Sequence, residues 1–313
     1  MTTKIPQEKN LNPSRHHFWP GSLSAFWADA NGKAHRISND GKKSYAPPYN
    51  FGGTYNSHHI KLGDTPSPWD ENFEPQYGKF DGEFPKIIAW LRTLSINPPA
   101  GKSTLRERMA PQSATDEQLA KLLECLISLV VRGPKFRNSI LRTTNHYRKE
   151  FRFVEEPNSS LVALNQRDCQ DSFTKALGGR GKFAVLASTG AEFIFGDGFY
   201  HNFNSPASAP MRPRILVPLL PDISIYYSRP LQYRSEPRLM TLSLTPDEVK
   251  FLNDTVQVYS KEQLFYRSEE PVLIDQFIQK EFLEYQHCLE VETLDQLVTQ
   301  TAFPIAAEPN TTP

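Results

Sequence analysis

Phe183-Ala184-Val185-Leu186-Ala187 is followed by Ser188-Thr189-Gly190 and then by Glu192-Phe193-Ile194-Phe195. Each apolar run is too short for a helix, and the residues between them suit a tight turn, so the segment reads as a β-hairpin. Residues 215–219, 223–227 and 239–244 continue with short apolar or alternating runs separated by proline-containing turns. An antiparallel sheet is therefore expected around 183–244.

Helical spacing flanks these strands. Ile87, Ile88, Leu91 and Leu94 recur on one helical face, with Pro85 suited to a first turn and Pro98-Pro99 as a stop. Thr115-Asp116-Glu117-Gln118 has the form of a capping box and opens a stripe of Leu119, Leu122, Leu123, Leu126 and Val130 that ends near Gly133-Pro134. Thr245-Pro246-Asp247-Glu248 is a second capping box, and a last helix is expected through Leu273, Ile274, Phe277, Ile278 and Phe282. Nearer the start, Asn31-Gly32 between two strand-like runs predicts a hairpin over 24–38, while the Gly, Pro and aromatic residues of 40–83 predict short elements. Without alternating strand–helix–strand units, the pattern predicts an α+β fold. It has an N-terminal hairpin and loops, central helices, the antiparallel sheet and C-terminal helices, all in a single domain over 13–306. The polar ends, 1–12 and 307–313, are expected to be mobile.

The 313 residues carry 35 Lys and Arg against 35 Asp and Glu. Zero formal charge argues against a protein that grips nucleic acid by overall basicity and leaves only a local basic site for a nucleic-acid or nucleotide partner. No apolar run approaches the ~18 residues of a membrane span, so no membrane partner is expected. The polar opening lacks a secretory signal, and a cytoplasmic location follows as an expectation. Cys125, Cys169 and Cys288 form no CxxC pair, which speaks against a disulfide framework and a cysteine zinc site.

Four of the eight histidines fall in two dipeptides, His16-His17 and His58-His59. Adjacent residues on a strand face opposite ways, so each pair offers at most one ligand to a site, and no metal ligand is assigned. The cofactor is left open. Ala100-Gly101-Lys102-Ser103-Thr104 resembles the end of a phosphate-binding loop, but Ile96 stands where that motif needs its first glycine. Arg132 follows an uncharged run from 125 to 131 and should emerge at the edge of a buried surface, where its planar fork suits a phosphate or carboxylate. Asp197 lies between Gly196 and Gly198 at the end of a predicted strand, a place where a ligand can approach closely.

His16-His17-Phe18-Trp19-Pro20 resembles the Gln-His-Tyr-Val-Pro-like opening of an uncharacterised, mostly bacterial domain-of-unknown-function family, with His16 where Gln is usual. Arg132-Gly133-Pro134-Lys135-Phe136-Arg137 is similar to that family's Arg-x-Pro-x-x-Arg. Residues 193–199 resemble its strand leading into Ser-Asp-Asn-Pro at the aromatic, the Ile and Asp197, but lack the Ser and the Pro. The resemblance implies no established activity.

The residues together lead to the expectation of a hydrolase-like enzyme acting on a phosphodiester or nucleotide, of the kind found in bacterial defence or toxin-type nucleases. His17 would act as general acid or base and Asp197 would orient it, with Arg132, Arg137 and His16 binding the anion. The alternative expectation is a non-enzymatic module in which the same residues form a structural polar network and the 40–83 loops meet a protein partner.

Overall fold

Both capping boxes form as their sequences require. The Thr115 side chain accepts from the Gln118 N–H at 3.1 Å while Gln118 accepts from the Thr115 N–H at 2.9 Å, and Thr245 and Glu248 make the same reciprocal pair. The computed structural model describes residues 13–60, 71–99, 103–152, 159–178, 180–229, 236–280 and 289–300.

The N-terminal part holds β1 (Arg15–His17), the single turn α1 (Gly21–Ser24), β2 (Ala34–Ser38), β3 (Lys43–Ala46), β4 (Gly53–Tyr55), β5 (His59–Ile60) and β6 (Glu71–Asn72). The centre is helical, with α2 (Glu74–Leu91), then β7 (Met109–Gln112), α3 (Asp116–Arg132), α4 (Pro134–Glu150) and α5 (Ser159–Leu177). Then come β8 (Lys182–Ser188), β9 (Phe195–Gly196), β10 (Tyr200–His201), β11 (Arg214–Leu220), β12 (Ile223–Ser228) and β13 (Leu239–Leu244). The chain closes with α6 (Pro246–Val258), β14 (Gln263–Tyr266), the short α7 (Asp275–Ile278) and α8 (Leu289–Gln300). This is an α+β fold. Among the described residues, no helix is long and apolar enough to cross a membrane.

The larger sheet has the order β10-β11-β12-β8-β13-β7. Its β8 and β13 run parallel, so the sheet is mixed where an antiparallel one was expected. A second sheet has the order β3-β2-β14-β9. The stretch 183–195 is therefore no hairpin, because β8 and β9 belong to different sheets. Phe195 stacks between Trp19 and Phe265, each with ring centroids 4.5 Å away, and this aromatic burial holds β9 against β14 instead.

Two other expectations are corrected. Asn31-Gly32 does turn, with Gly32 at φ +71 and the Asp29 carboxylate accepting the N–H groups of Asn31 and Lys33. Yet the run before it is helical. Pro20 accepts from Leu23 and Ser24, and Trp27 is buried with its indole N–H donating to the Leu219 carbonyl at 3.2 Å, so β2 pairs with β3 rather than with 24–30. Pro85 lies inside α2, not in its first turn. It cannot donate to the carbonyl of Asp81, and that carbonyl accepts from the Ser22 hydroxyl at 3.1 Å instead. The polar stretch from 134 also folds as helix, its apolar Phe136 and Ile140 four apart and fully buried. Of the expected last helix, Asp275–Ile278 is helical with Phe277 buried, and 281–288 lie outside the described residues. The ends 1–12 and 307–313 lie outside them too.

One apolar cluster extends from Phe18 and Trp19 through the α3 stripe to Val298. Leu126, fully buried in it, makes a direct test of the packing. Leu126→Ala should lose about 2–5 kcal/mol of stability in urea denaturation, whereas Tyr147→Ala, at a side chain 58% exposed, should stay within about 0.5 kcal/mol of the parent.

Candidate functional site

The site begins with a broken helix. Gly133, with φ −64 and ψ 143, has the extended geometry that a following proline demands, so α3 stops at Arg132 and α4 starts at Pro134 in a new direction. The break brings Arg132 and, one turn into α4, Arg137 onto the wall of a cavity of about 280 Å³. Asn138 from the same turn, Asp197 from the end of β9, both Lys261 and Glu262 from the segment before β14, Gln263 at its start, and Thr54 and Ser57 complete its polar lining. No side chain caps α4, and its first turn holds no acidic residue, so the positive end of the helix macrodipole adds to the cationic side.

The two guanidinium groups are treated differently. Arg132 has a buried side chain that makes a two-pronged ion pair with Asp81 of α2, at 2.5 and 3.3 Å, and lies 4.9 Å over the Tyr77 ring. Its charge is balanced inside the fold, although among the described residues its buried Nε has no hydrogen-bond partner. Arg137 donates from one Nη to two neutral acceptors, the Ser57 carbonyl and Gln166 Oε1, both at 2.8 Å. Among the described residues it has no ion pair with any carboxylate, and burial pulls its pKa below the ordinary arginine value. Lys261 likewise has no carboxylate partner among the described residues.

Asp197 faces the cavity but its two oxygens are already engaged, accepting the backbone N–H groups of Lys261 at 2.8 Å and Glu262 at 2.9 Å. Its own N–H donates to the Gln263 carbonyl at 3.1 Å. Burial pushes its carboxyl up to about 6, against the opposing effect of those backbone donors. Gly196 before it has a steric reason. A Cβ there would lie 1.9 Å from the Ser260 hydroxyl, which is tied to the carbonyls of Gly198 and Val256. A side chain at 196 would therefore collide with Ser260.

Behind this wall the two histidine dipeptides converge. β1 pairs with β4, setting His16 opposite Thr54, and the His16 ring stacks on His58 with centroids 5.0 Å apart and meets His59 edge-on at 4.5 Å. His16 Nδ1 accepts the His58 N–H at 2.7 Å, which puts the proton of the neutral ring on Nε2, 2.7 Å from the Ser14 hydroxyl. His58 Nδ1 hydrogen-bonds the Glu74 carboxylate, and its Nε2 is buried with no partner among the described residues. Burial, and then the neighbouring His58, lower His16 to about 4, and burial lowers His58 and His59 as well. His17 points elsewhere. It is half-buried, its Nε2 lies 3.3 Å from the Tyr49 carbonyl, and its Nδ1 lies 3.9 Å from Glu74. Among the described residues, no group of three or more His, Cys, Asp or Glu is arranged to hold a metal ion.

The structure thus brings Arg132, Arg137 and Asp197 to one cavity and leaves His16 and His17 outside its lining. The expected pairing of His17 with Asp197 is corrected accordingly. His17 sits with Glu74, and Asp197 is occupied by backbone donors. His16, expected to bind an anion, is instead a buried, hydrogen-bonded imidazole. Asp81 and Glu74 carried no signal in the sequence, since each acquires its role from a partner distant along the chain, and Lys261 and Asn138 join the site only as cavity lining. No family model, curated protein or solved structure matches the chain, so the reading of this site rests on its geometry.

The imidazole cluster makes the stability pH-dependent. A histidine with a lowered folded pKa stays neutral while the unfolded chain takes up its proton, so stability is lost as pH falls from about 6.5 towards the folded value. For His16, whose folded value is about 4, the loss should approach about 1.4 kcal/mol per pH unit in that window. His16→Asn keeps an acceptor for the His58 N–H but cannot titrate. Denaturation series at pH 7, 6 and 5 should show a smaller dependence on pH for the variant, and an unchanged slope would exclude this role.

Proposed function

We propose that the cavity at the α3–α4 break binds a phosphate-bearing ligand, of the phosphodiester or nucleotide class, and that Arg137 is its principal anchor. The observation that carries this reading is the charge of Arg137. A guanidinium keeps its proton, and this one is partly withdrawn from water with, among the described residues, only a carbonyl and an amide as partners. An anion in the cavity would supply the missing counter-charge. Lys261 and the uncapped start of α4 favour the same sign of ligand.

Arg132 and Asp197 serve as walls in this reading. Arg132 is neutralised by Asp81, and both Asp197 oxygens hold the 261–262 backbone, which favours the polar-network role for these two residues. A hydrolytic step run by His17 and Asp197 finds no support in their positions, so the proposal is one of recognition.

Thermal unfolding with and without inorganic phosphate tests it. Ligand binding to the native state alone raises the transition by mass action. Phosphate at about 100-fold over its dissociation constant should add about 2.7 kcal/mol to the native protein. Arg137→Gln should remove that gain while still folding, because Gln retains a donor for the Ser57 carbonyl. Equal stabilisation of parent and variant, or none in the parent, would refute the assignment.

A further inference from the structure

The segment 261–263 lines two hollows at once. On one side is the cavity of Arg137, and on the other a second hollow of about 330 Å³ lined by Arg36, Ser38, Asn39, Asp40 and Lys280. The segment between them is pinned from both sides. Asp197 holds the N–H groups of Lys261 and Glu262 from the first, while the Asn39 amide donates to the Lys261 carbonyl at 3.0 Å and the Asn39 N–H to the Glu262 carbonyl at 3.1 Å from the second. A loop ridge held by this many hydrogen bonds has little freedom left to lose when a ligand lies across it.

The charges on the second side repeat the pattern of the first. Among the described residues, neither Arg36 nor Lys280 has an ion pair with a carboxylate. Arg36 donates from Nε to the Ser44 hydroxyl at 2.9 Å and lies 5.9 Å over the Phe51 ring, and among the described residues its Nη groups have no hydrogen-bond partner. Asp40, one of the two acids lining that hollow with Glu262, is paired with Lys42 at 2.7 Å. Glu262 is shared by both hollows, as is Lys261.

We propose that the two hollows form one site for a ligand with two phosphate groups, straddling the 261–263 ridge. One phosphate would sit with Arg137 and the other with Arg36 and Lys280, with Lys261 serving both. This inference rests on the anion-binding reading of the Arg137 cavity and names the ligand class for it. Phosphates separated by a nucleoside, as in a 5′-phosphorylated dinucleotide, suit a ridge better than the contiguous phosphates of a nucleoside diphosphate.

Calorimetric titration of the full chain with inorganic phosphate, thymidine diphosphate and 5′-phosphorylated thymidine dinucleotide separates these outcomes. The dinucleotide should bind at least about tenfold more tightly than inorganic phosphate, a gain of about 1.4 kcal/mol, and more tightly than the diphosphate. The double variant Arg36→Gln/Lys280→Gln should lose that gain and keep phosphate binding, and Lys280→Gln alone should lose part of it should the double variant fold poorly. Arg137→Gln should weaken binding of all three ligands. A parent protein that binds phosphate but gains nothing from the second phosphate, or variants that keep the full gain, would overturn the two-phosphate site and leave the Arg137 cavity standing. No phosphate binding by the parent would overturn both.

Discussion

A guanidinium cannot discharge itself when it is taken out of water, so each buried arginine must find a counter-charge or carry a desolvation cost. Arg132 and Arg137, five residues apart across a helix break, resolve this in opposite ways. Arg132 meets the Asp81 carboxylate of α2 and becomes part of the packing between α2 and α3. Among the described residues, Arg137 meets only neutral oxygens. That difference makes one a structural residue and the other a place where charge is unfinished, and the functional reading depends on it.

The rest of the site follows from how the backbone is held around that charge. Pro134 ends α3 and aims the start of α4 at the cavity, adding a helix dipole of the right sign. Asp197 holds the facing segment with both oxygens, its carboxyl raised to about 6 by burial against the pull of those backbone donors, and Gly196 lets Ser260 pack where a side chain would otherwise stand. Beneath the β1–β4 ribbon, three imidazoles kept neutral by burial surround Ser14 and Glu74 and fix the loop that presents the Ser57 carbonyl to Arg137. Neutral rings are an economical filling for that place. They supply both donors and acceptors without adding another positive charge beside Arg137.

Where local chemistry decides structure, the sequence could be read. Both capping boxes, the α3 stripe, the strands at 215–219, 223–227 and 239–244, and the Asn31-Gly32 turn follow from residues within a few positions of one another. Phe195 could not be read this way, because its choice of sheet is set by Trp19 and Phe265, far away in the chain. Pro85 misled for a related reason: a helix tolerates it when a distant donor, Ser22, serves the carbonyl it leaves open. The α5 helix carried its signal in Val162, Gln166, Cys169 and Phe173, all buried at helical spacing, with polar residues between them that masked the stripe. At the site, the Arg132-Gly133-Pro134-Lys135-Phe136-Arg137 segment pointed to the cavity, since the break and both cations are local. The partners were not legible. Asp81, Lys261 and the ring of His58 against His16 reach the site only through tertiary packing.

The most direct measurement is a crystal grown with tungstate, a tetrahedral phosphate mimic that can be located by its anomalous scattering. The account predicts an anion in the α3–α4 cavity within hydrogen-bond distance of the Arg137 guanidinium, lost in crystals of Arg137→Gln. Tungstate bound only elsewhere, with the Arg137 cavity holding water alone, would contradict it.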